Sequence, residues 1–173
     1  MIETGRLVIR RPLAGDAQAI FERYAGDPKV TRFVGWPTHR SVTDTAAFLA
    51  WANTEWQRWP AGPYLIESRD DRRLLGGTGL AFETPTRAST GYVLAVDAWG
   101  RGYATEALGA MVDLARRLHV VRLYSICHPQ HRPSAHVLEK GGFVLEGTLR
   151  KFIEFPNLSP NEPSDVLCYA TIL

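Results

Sequence analysis

A chain of 173 residues, 45% apolar and 22% charged, has the make-up of one ordinary globular domain. It is long enough to bury roughly 70% of its unfolded surface without disulfide or metal staples. Twenty basic against 18 acidic residues leave a net charge of +2, which gives no electrostatic basis for binding nucleic acid, and no apolar run is long enough to cross a membrane. The two cysteines, Cys127 and Cys168, form no secreted disulfide framework and read as reduced core residues of a cytoplasmic protein.

In chain order, "RLVIRR" at 6–11 alternates apolar and basic residues and predicts a first strand, ended by Pro12. Asp16 is placed to cap a helix of about two turns, "AQAIFERYA", which stops at Gly26-Asp27-Pro28. Residues 30–41 are irregular and read as a loop that presents Phe33 and Trp36. Asp44 opens a second helix in which Phe48, Ala52, Trp56 and Trp59 recur at helical spacing, closed by Pro60-Ala61-Gly62-Pro63. Three short strands follow, "YLIESR", "LLGGTGLAFE" and "STGYVLAV", joined by tight turns as an antiparallel meander.

After the glycines at 100 and 102, the spacing of Ala104, Ala107, Leu108, Met111, Ala115 and Leu118 predicts a helix to about His119. A strand "VVRLYSIC", a short helix ending at Gly141-Gly142 and two final strands, "FVLEGTLRKFIEF" and "DVLCYATIL", complete the chain. The last two flank a Pro- and Asn-rich excursion at 156–164. The pattern is mixed α+β (α/β), with about seven strands, about four helices, and a strand-helix-strand crossover at its centre.

"WGRGYATEAL" at 99–108 sets flexible residues directly before a well-formed helix. Such a junction leaves backbone N–H groups without partners and points a helix dipole at whatever lies in front, so it suits an anion; a plain turn is the simpler reading. The dinucleotide fingerprint fails, because Thr105 stands where its third glycine belongs, and no Gly-Lys-Ser/Thr phosphate loop is present. Residues 98–132 also carry five arginines (101, 116, 117, 122 and 132) against Glu106 and Asp113, an excess suited either to phosphates or to a solvated helix face.

The longer string "GYVLAVDAWGRGYATEAL", followed by "HRPSAHVLEKGGF", resembles the GNAT superfamily of N-acetyltransferases, specifically its RimJ/RimL-like branch. The opening "TGRLVIRRPLAGDAQAIF" and "DPKVTRFVGW" resemble the same branch, so the likeness covers nearly the whole chain. It implies that residues 1–173 form a single N-acetyltransferase domain of three layers, with a central, mostly antiparallel sheet splayed between its fourth and fifth strands. It also implies acetyl-CoA as cosubstrate, no metal, and transfer of acetyl to a primary amine, either a protein N-terminus or a small molecule, by direct attack in a ternary complex. A non-catalytic acyl-CoA-binding regulatory module of the same fold is the alternative. A homodimer is left open.

The family's Gln/Arg-x-x-Gly-x-Gly/Ala pattern falls on Trp99, Gly102 and Ala104, Trp99 departing from it. The resemblance assigns the diphosphate to Arg101, Gly102, Tyr103, Ala104 and Thr105, and the pantetheine arm to the strand edge at Leu94, Ala95 and Val96, where a backbone N–H meets the thioester oxygen. His131 replaces the Asn of the branch's Asn-x-x-Ser pattern, so its ring is expected to cap the helix or contact the cofactor. Leu138 occupies the place of the tyrosine that often protonates the thiolate, which makes Ser134 the candidate donor; a serine at a helix start also satisfies backbone N–H groups. Glu67, Glu83 and Glu154 are candidate bases, with Glu83 favoured as the one at the strand end beside the splay and a water chain as the alternative, and Phe33 and Trp36, joined by Trp59 and Tyr64, are candidate walls of the acceptor pocket. "CHPQH" at 127–131 has no second ligand pair and is poor ground for zinc.

Overall fold

A computed structural model describes all of residues 1–173. Eight strands form one sheet in the order β1-β2-β3-β4-β5-β6-β8-β7: β1 (Ile2–Glu3), β2 (Leu7–Arg10), β3 (Pro63–Ser68), β4 (Leu74–Thr84), β5 (Arg87–Leu94), β6 (Arg122–Cys127), β7 (Val144–Glu154) and β8 (Pro163–Ile172). The count exceeds the expected seven by the two-residue β1, too short to carry an alternating pattern. Every pairing is antiparallel except β5 with β6. That parallel pair is bridged by helix α4 (Tyr103–Arg117), as parallel neighbours require a crossover.

The pairing of β5 with β6 stops after Ser89 and Tyr124, although β5 continues to Leu94 and β6 to Cys127. The sheet therefore opens as a wedge between the strands read from sequence as the fourth and fifth. β4 and β5 remain zipped along the wedge, from Gly76 opposite Leu94 to Thr84 opposite Arg87. Gly76 permits this close approach, since a Cβ there would collide with the Val93 carbonyl oxygen.

Both faces of the sheet are covered, and β3 records it: Leu65 joins one apolar cluster and the next residue, Ile66, joins the other. The larger cluster packs α4 residues Leu108 and Met111, together with Leu138 of α5 (Arg132–Lys140), against Leu7, Ile9 and Leu75. The smaller packs Ile20 of α1 (Ala17–Ile20) and Leu49 of α3 (Val42–Arg58) on Leu65. Helix α2 (Pro28–Thr31) completes the five.

Local starts and stops differ from the sequence reading where a longer-range partner wins. The Asp16 carboxylate does not cap α1; it accepts the Leu13 amide at 2.7 Å and both terminal nitrogens of Arg10 at 2.7 and 2.8 Å. A bidentate guanidinium outbids a helix amide, and these bonds hold the Asp16 carboxyl below its usual range against the opposing effect of burial. The chain from Phe21 to Ala25 widens into a π-type turn. The Gly26-Asp27-Pro28 stop also starts α2, whose last two residues fall in the stretch read as a loop; Asp27 caps it, its carboxylate accepting the Lys29 amide at 2.8 Å. Helix α3 begins at Val42, ahead of Asp44, whose carboxylate accepts the Arg40 and Ser41 amides at 2.8 and 3.2 Å. Helix α4 ends at Arg117, two residues early, as His119 turns left-handed at φ +59°.

Candidate active site

A cleft of about 1970 Å³ runs from the wedge to the α2–α3 segment. Gly100 and Gly102 lie on its wall with φ +71° and +77°, a left-handed backbone that disfavours a side chain. The first intrahelical bond of α4 runs from the Glu106 amide to the Gly102 carbonyl at 3.1 Å, and the amides of residues 100–105 donate to no group of the protein. Six consecutive unspent donors at a helix start form a seat for an anion. The simpler reading, a plain turn, would have bonded some of them internally.

Arg6 builds this seat from underneath. Its guanidinium donates to the Arg101 carbonyl at 2.8 Å, lies 4.8 Å from the Tyr103 ring centre, and bonds Glu106 through Nε at 2.7 Å. Glu106 also accepts the Thr4 hydroxyl at 2.6 Å and the Arg6 amide at 2.8 Å. Burial works against its ionisation, but these bonds prevail and hold the carboxyl below its usual value of 4.5. A carboxylate beside an anion seat would repel the ligand; here Arg6 neutralises it.

The arginine excess read from sequence does not face the seat. None of Arg101, Arg116, Arg117, Arg122 and Arg132 lines the cleft; Arg116 pairs with Asp113 and Arg122 with Glu146. Helical and strand spacing turns these side chains outward, and the donors toward the cleft are backbone groups, which composition does not reveal.

Along β5, the Ala95 amide donates to the Leu75 carbonyl at 2.8 Å. Alternation along an antiparallel strand then aims the backbone groups of Thr90, Tyr92 and Leu94 into the wedge. Leu94 lines the cleft at this strand edge, whereas the Ala95 amide is consumed within the sheet, and neither Ala95 nor Val96 lines the cleft. Trp99, the departure from the family pattern, donates its indole N–H to the Leu94 carbonyl at 2.7 Å and ties the glycine loop to the strand.

Ser134 lines the cleft, and its hydroxyl caps no helix amide; Oγ sits 3.1 Å from the Tyr92 hydroxyl, which also reaches the Ser134 carbonyl oxygen at 3.0 Å. Burial pushes the Tyr92 phenol well above its usual value, so it stays protonated. Tyr92 was invisible as a site residue in the sequence because an aromatic in a strand reads as core. Leu138 is fully buried in the main core, so nothing at that place reaches a ligand.

His131 lines the cleft but makes no capping bond to α5; its ring stacks on Phe33 at 4.8 Å and 21°. His128 packs against Phe33 at 5.2 Å and Phe155 at 5.0 Å, its Nδ1 accepting the Gln130 amide at 3.2 Å. Burial lowers both imidazoles below 6.5, helped by Arg32 for His128 and by His128 for His131, so both are neutral at pH 7.

The carboxylate expectation is overturned by position. Glu83 sits at the far end of β4, in a separate hollow of about 550 Å³, bonded to the Tyr124 hydroxyl and to Arg87 Nε at 2.7 Å. Glu67 is held by Arg10 at 2.5 Å and Arg72 at 2.7 Å, and neither it nor Glu154 lines the cleft. Of the proposed acceptor walls, Phe33, Trp36 and Tyr64 do line it, whereas Trp59 stacks on Phe82 at 5.4 Å.

Asn157, in the Pro- and Asn-rich excursion, carries a role the sequence did not announce. Its amide nitrogen donates to the Thr31 and Trp36 carbonyls at 2.7 and 2.8 Å, and its oxygen accepts the Thr38 amide at 2.8 Å and hydroxyl at 3.0 Å. One side chain from the β7–β8 connection thereby fixes the segment that holds Phe33 and Trp36.

The fold recurs in known proteins. The chain is 28% identical over 156 residues to the uncharacterized N-acetyltransferase YoaA of Bacillus subtilis, covering 88% of each. An acetyltransferase of the GNAT family from Bacillus anthracis superposes with a TM-score of 0.84 at 25% identity, over 99% of this chain and 97% of that one. RimL, a ribosomal L7/L12 alpha-N-protein acetyltransferase solved with coenzyme A, superposes at 0.85 and 23% identity over 98% and 96%. Residues 6–144 match the acetyltransferase (GNAT) domain family, and this protein belongs to it as an acetyltransferase.

Proposed function

We propose that this acetyltransferase carries an acetyl group from acetyl-CoA to a primary amine, by direct attack of the amine within a ternary complex. The observation that carries the reading is the run of unspent amides at residues 100–105 lying in one cleft with the open edge of β5. RimL holds coenzyme A on the same fold, which supports the choice of ligand.

Acetyl-CoA, when bound, supplies an acetyl group activated as a thioester. In this reading the amides of Gly102, Tyr103, Ala104 and Thr105 take the diphosphate, and the β5 edge takes the amide-bearing arm as an added strand. The Leu94 N–H donates to the carbonyl oxygen as negative charge gathers there. Phe33 and Trp36 exclude water around the amine, and His131, neutral and without a hydrogen-bond partner, accepts its proton. Ser134 delivers a proton to the departing sulfur.

A thermal-shift titration with acetyl-CoA, followed by a CoA-release assay over a panel of primary amines, tests the reading. Stabilisation together with release on at least one amine is expected. Binding with no turnover on any amine, or no binding, overturns it.

A further inference from the structure

The acceptor end of the cleft is walled by Phe33, Trp36, Phe48, Trp51, Ile153 and Phe155. Lys29, Arg32 and Arg40, exposed cations of the neighbouring segment, also line the cleft, and none has a carboxylate within ion-pair distance. Arg58, Arg101, Arg117, Arg132 and Arg150 also lack a carboxylate partner, but they do not line the cleft; Lys29, Arg32 and Arg40 combine an unpaired charge with a place on its wall. The cleft's own carboxylates are Asp44, already accepting two amides at the start of α3, and Glu55. His39 and His131, which also line the cleft, and His128, which packs on Phe33, are held below their usual value mainly by burial and add no positive charge at pH 7.

Arg32 is the cation that the geometry ties to the reacting end. Its guanidinium lies 5.2 Å from the Phe33 ring centre, and the same ring stacks on His131 at 4.8 Å, three residues before Ser134. A planar fork of donors next to aromatic walls, with no internal anion to satisfy it, suits a carboxylate or phosphate brought by the ligand. Three like charges on one stretch of the cleft wall also disfavour a molecule bearing several ammonium groups.

We infer that the acceptor is an amine carrying its own anionic group beside an aromatic or apolar body, with Arg32 holding the anion and Phe33 and Trp36 the body, and that polycationic amines are rejected. This rests on the acetyl-transfer reading and adds the chemical class of acceptor. The exclusion covers polyamines and aminoglycosides.

The test uses one ring system with and without the charge: L-phenylalanine, L-phenylalaninamide and 2-phenylethylamine, beside spermidine and kanamycin. The full-length enzyme is expected to favour L-phenylalanine over 2-phenylethylamine by at least about tenfold in kcat/KM, the scale of one charge-assisted bond. Arg32→Gln, an exposed position, abolishes that preference by raising KM for L-phenylalanine alone, with kcat within about twofold. Preference for spermidine or kanamycin, or an equal loss on every amine in Arg32→Gln, overturns the inference. A second arm needs no turnover: N-acetyl-L-phenylalanine and N-acetyl-2-phenylethylamine are titrated against CoA-loaded protein by the fluorescence of the cleft tryptophans. Tighter, Arg32-dependent binding of the charged product supports the acceptor class even if no amine is turned over; equal binding of both overturns it even in an active enzyme.

Discussion

The Tyr92 hydroxyl lies 3.1 Å from Ser134 Oγ and 3.0 Å from the Ser134 carbonyl oxygen, and so joins β5 to α5 across the open wedge of the sheet. With its phenol proton kept by burial, Tyr92 can fix the serine that is proposed as proton donor to the sulfur. Ser134→Ala is expected to lower kcat by about 10²-fold, the low end for general acid catalysis. Tyr92→Phe is expected to cost roughly tenfold on its own and nothing further in the Ser134→Ala background, since residues acting through one another are non-additive. Steady-state kinetics on the four proteins checks this, and additive losses would assign Tyr92 a separate role.

Asn157 makes four hydrogen bonds to the segment from Thr31 to Thr38, so removing its side chain leaves the Trp36 carbonyl and the Thr38 amide unpaired, the Thr31 carbonyl keeping only the Val34 amide. Asn157→Ala is expected to raise KM for the amine at least fivefold while the Kd for acetyl-CoA, measured by calorimetry, changes by less than about twofold, because the bonds serve only the acceptor wall. Equal loss of both affinities would contradict the division of the cleft into two ends.

Two glycines of one region should respond in opposite directions. Gly102 has φ +77°, and a Cβ there would come 3.4 Å from the Arg6 guanidinium, so Gly102→Ala is expected to weaken acetyl-CoA binding at least about tenfold through backbone strain at the seat. Gly109 is exposed within α4 with open space around it, and Gly109→Ala should stabilise the protein by about 1 kcal/mol. Denaturant melts and acetyl-CoA titrations of both variants decide it.

Glu106 is ionised more readily in the folded than in the unfolded chain, because Thr4 and Arg6 bonds outweigh its burial. A carboxyl with a depressed folded value stabilises the protein above its unfolded value of 4.5, and that contribution is lost as pH falls through the folded value. Glu106→Gln should therefore lower Tm at pH 7 by a few degrees, and the gap to the parent should close as pH falls below 4.5. Thermal melts of both proteins over that range check the sign.

His131 must be neutral to accept a proton, and its folded value lies below 6.5 because of burial and His128. The acid limb of kcat/KM is expected below pH 6.5 and should vanish in His131→Gln, with a residual rate that rises only with free amine. An unchanged limb would pass the proton to another group.

The glycine-bearing helix start was legible in sequence because it follows from local signals, two glycines and a helix of strong formers at fixed spacing, whereas the wedge was implied only by the resemblance to the family. Local signals depend on neighbours along the chain; Gly102, Tyr103, Ala104 and Thr105, which the resemblance singled out, line the cleft. The base was not legible, since a strand carboxylate reads alike at either end of a strand; only the register of β4 with β5 sends Glu83 to the far hollow beside Arg87. Ala95 shows the same limit on a finer scale, its amide being spent on Leu75.

The amino-acid sequence by itself determined the order of elements, the glycine-bearing helix start and the aromatic segment at 33–36, since periodicity and backbone preference act over a few residues. Which of those groups face one another was decided by the tertiary structure. Tyr92 meets Ser134 across 42 positions and Asn157 meets Trp36 across 121, contacts created by sheet pairing and the packing of α5 on it. Side chains of ordinary type gain their roles there because burial, and not composition, sets which donors lack partners.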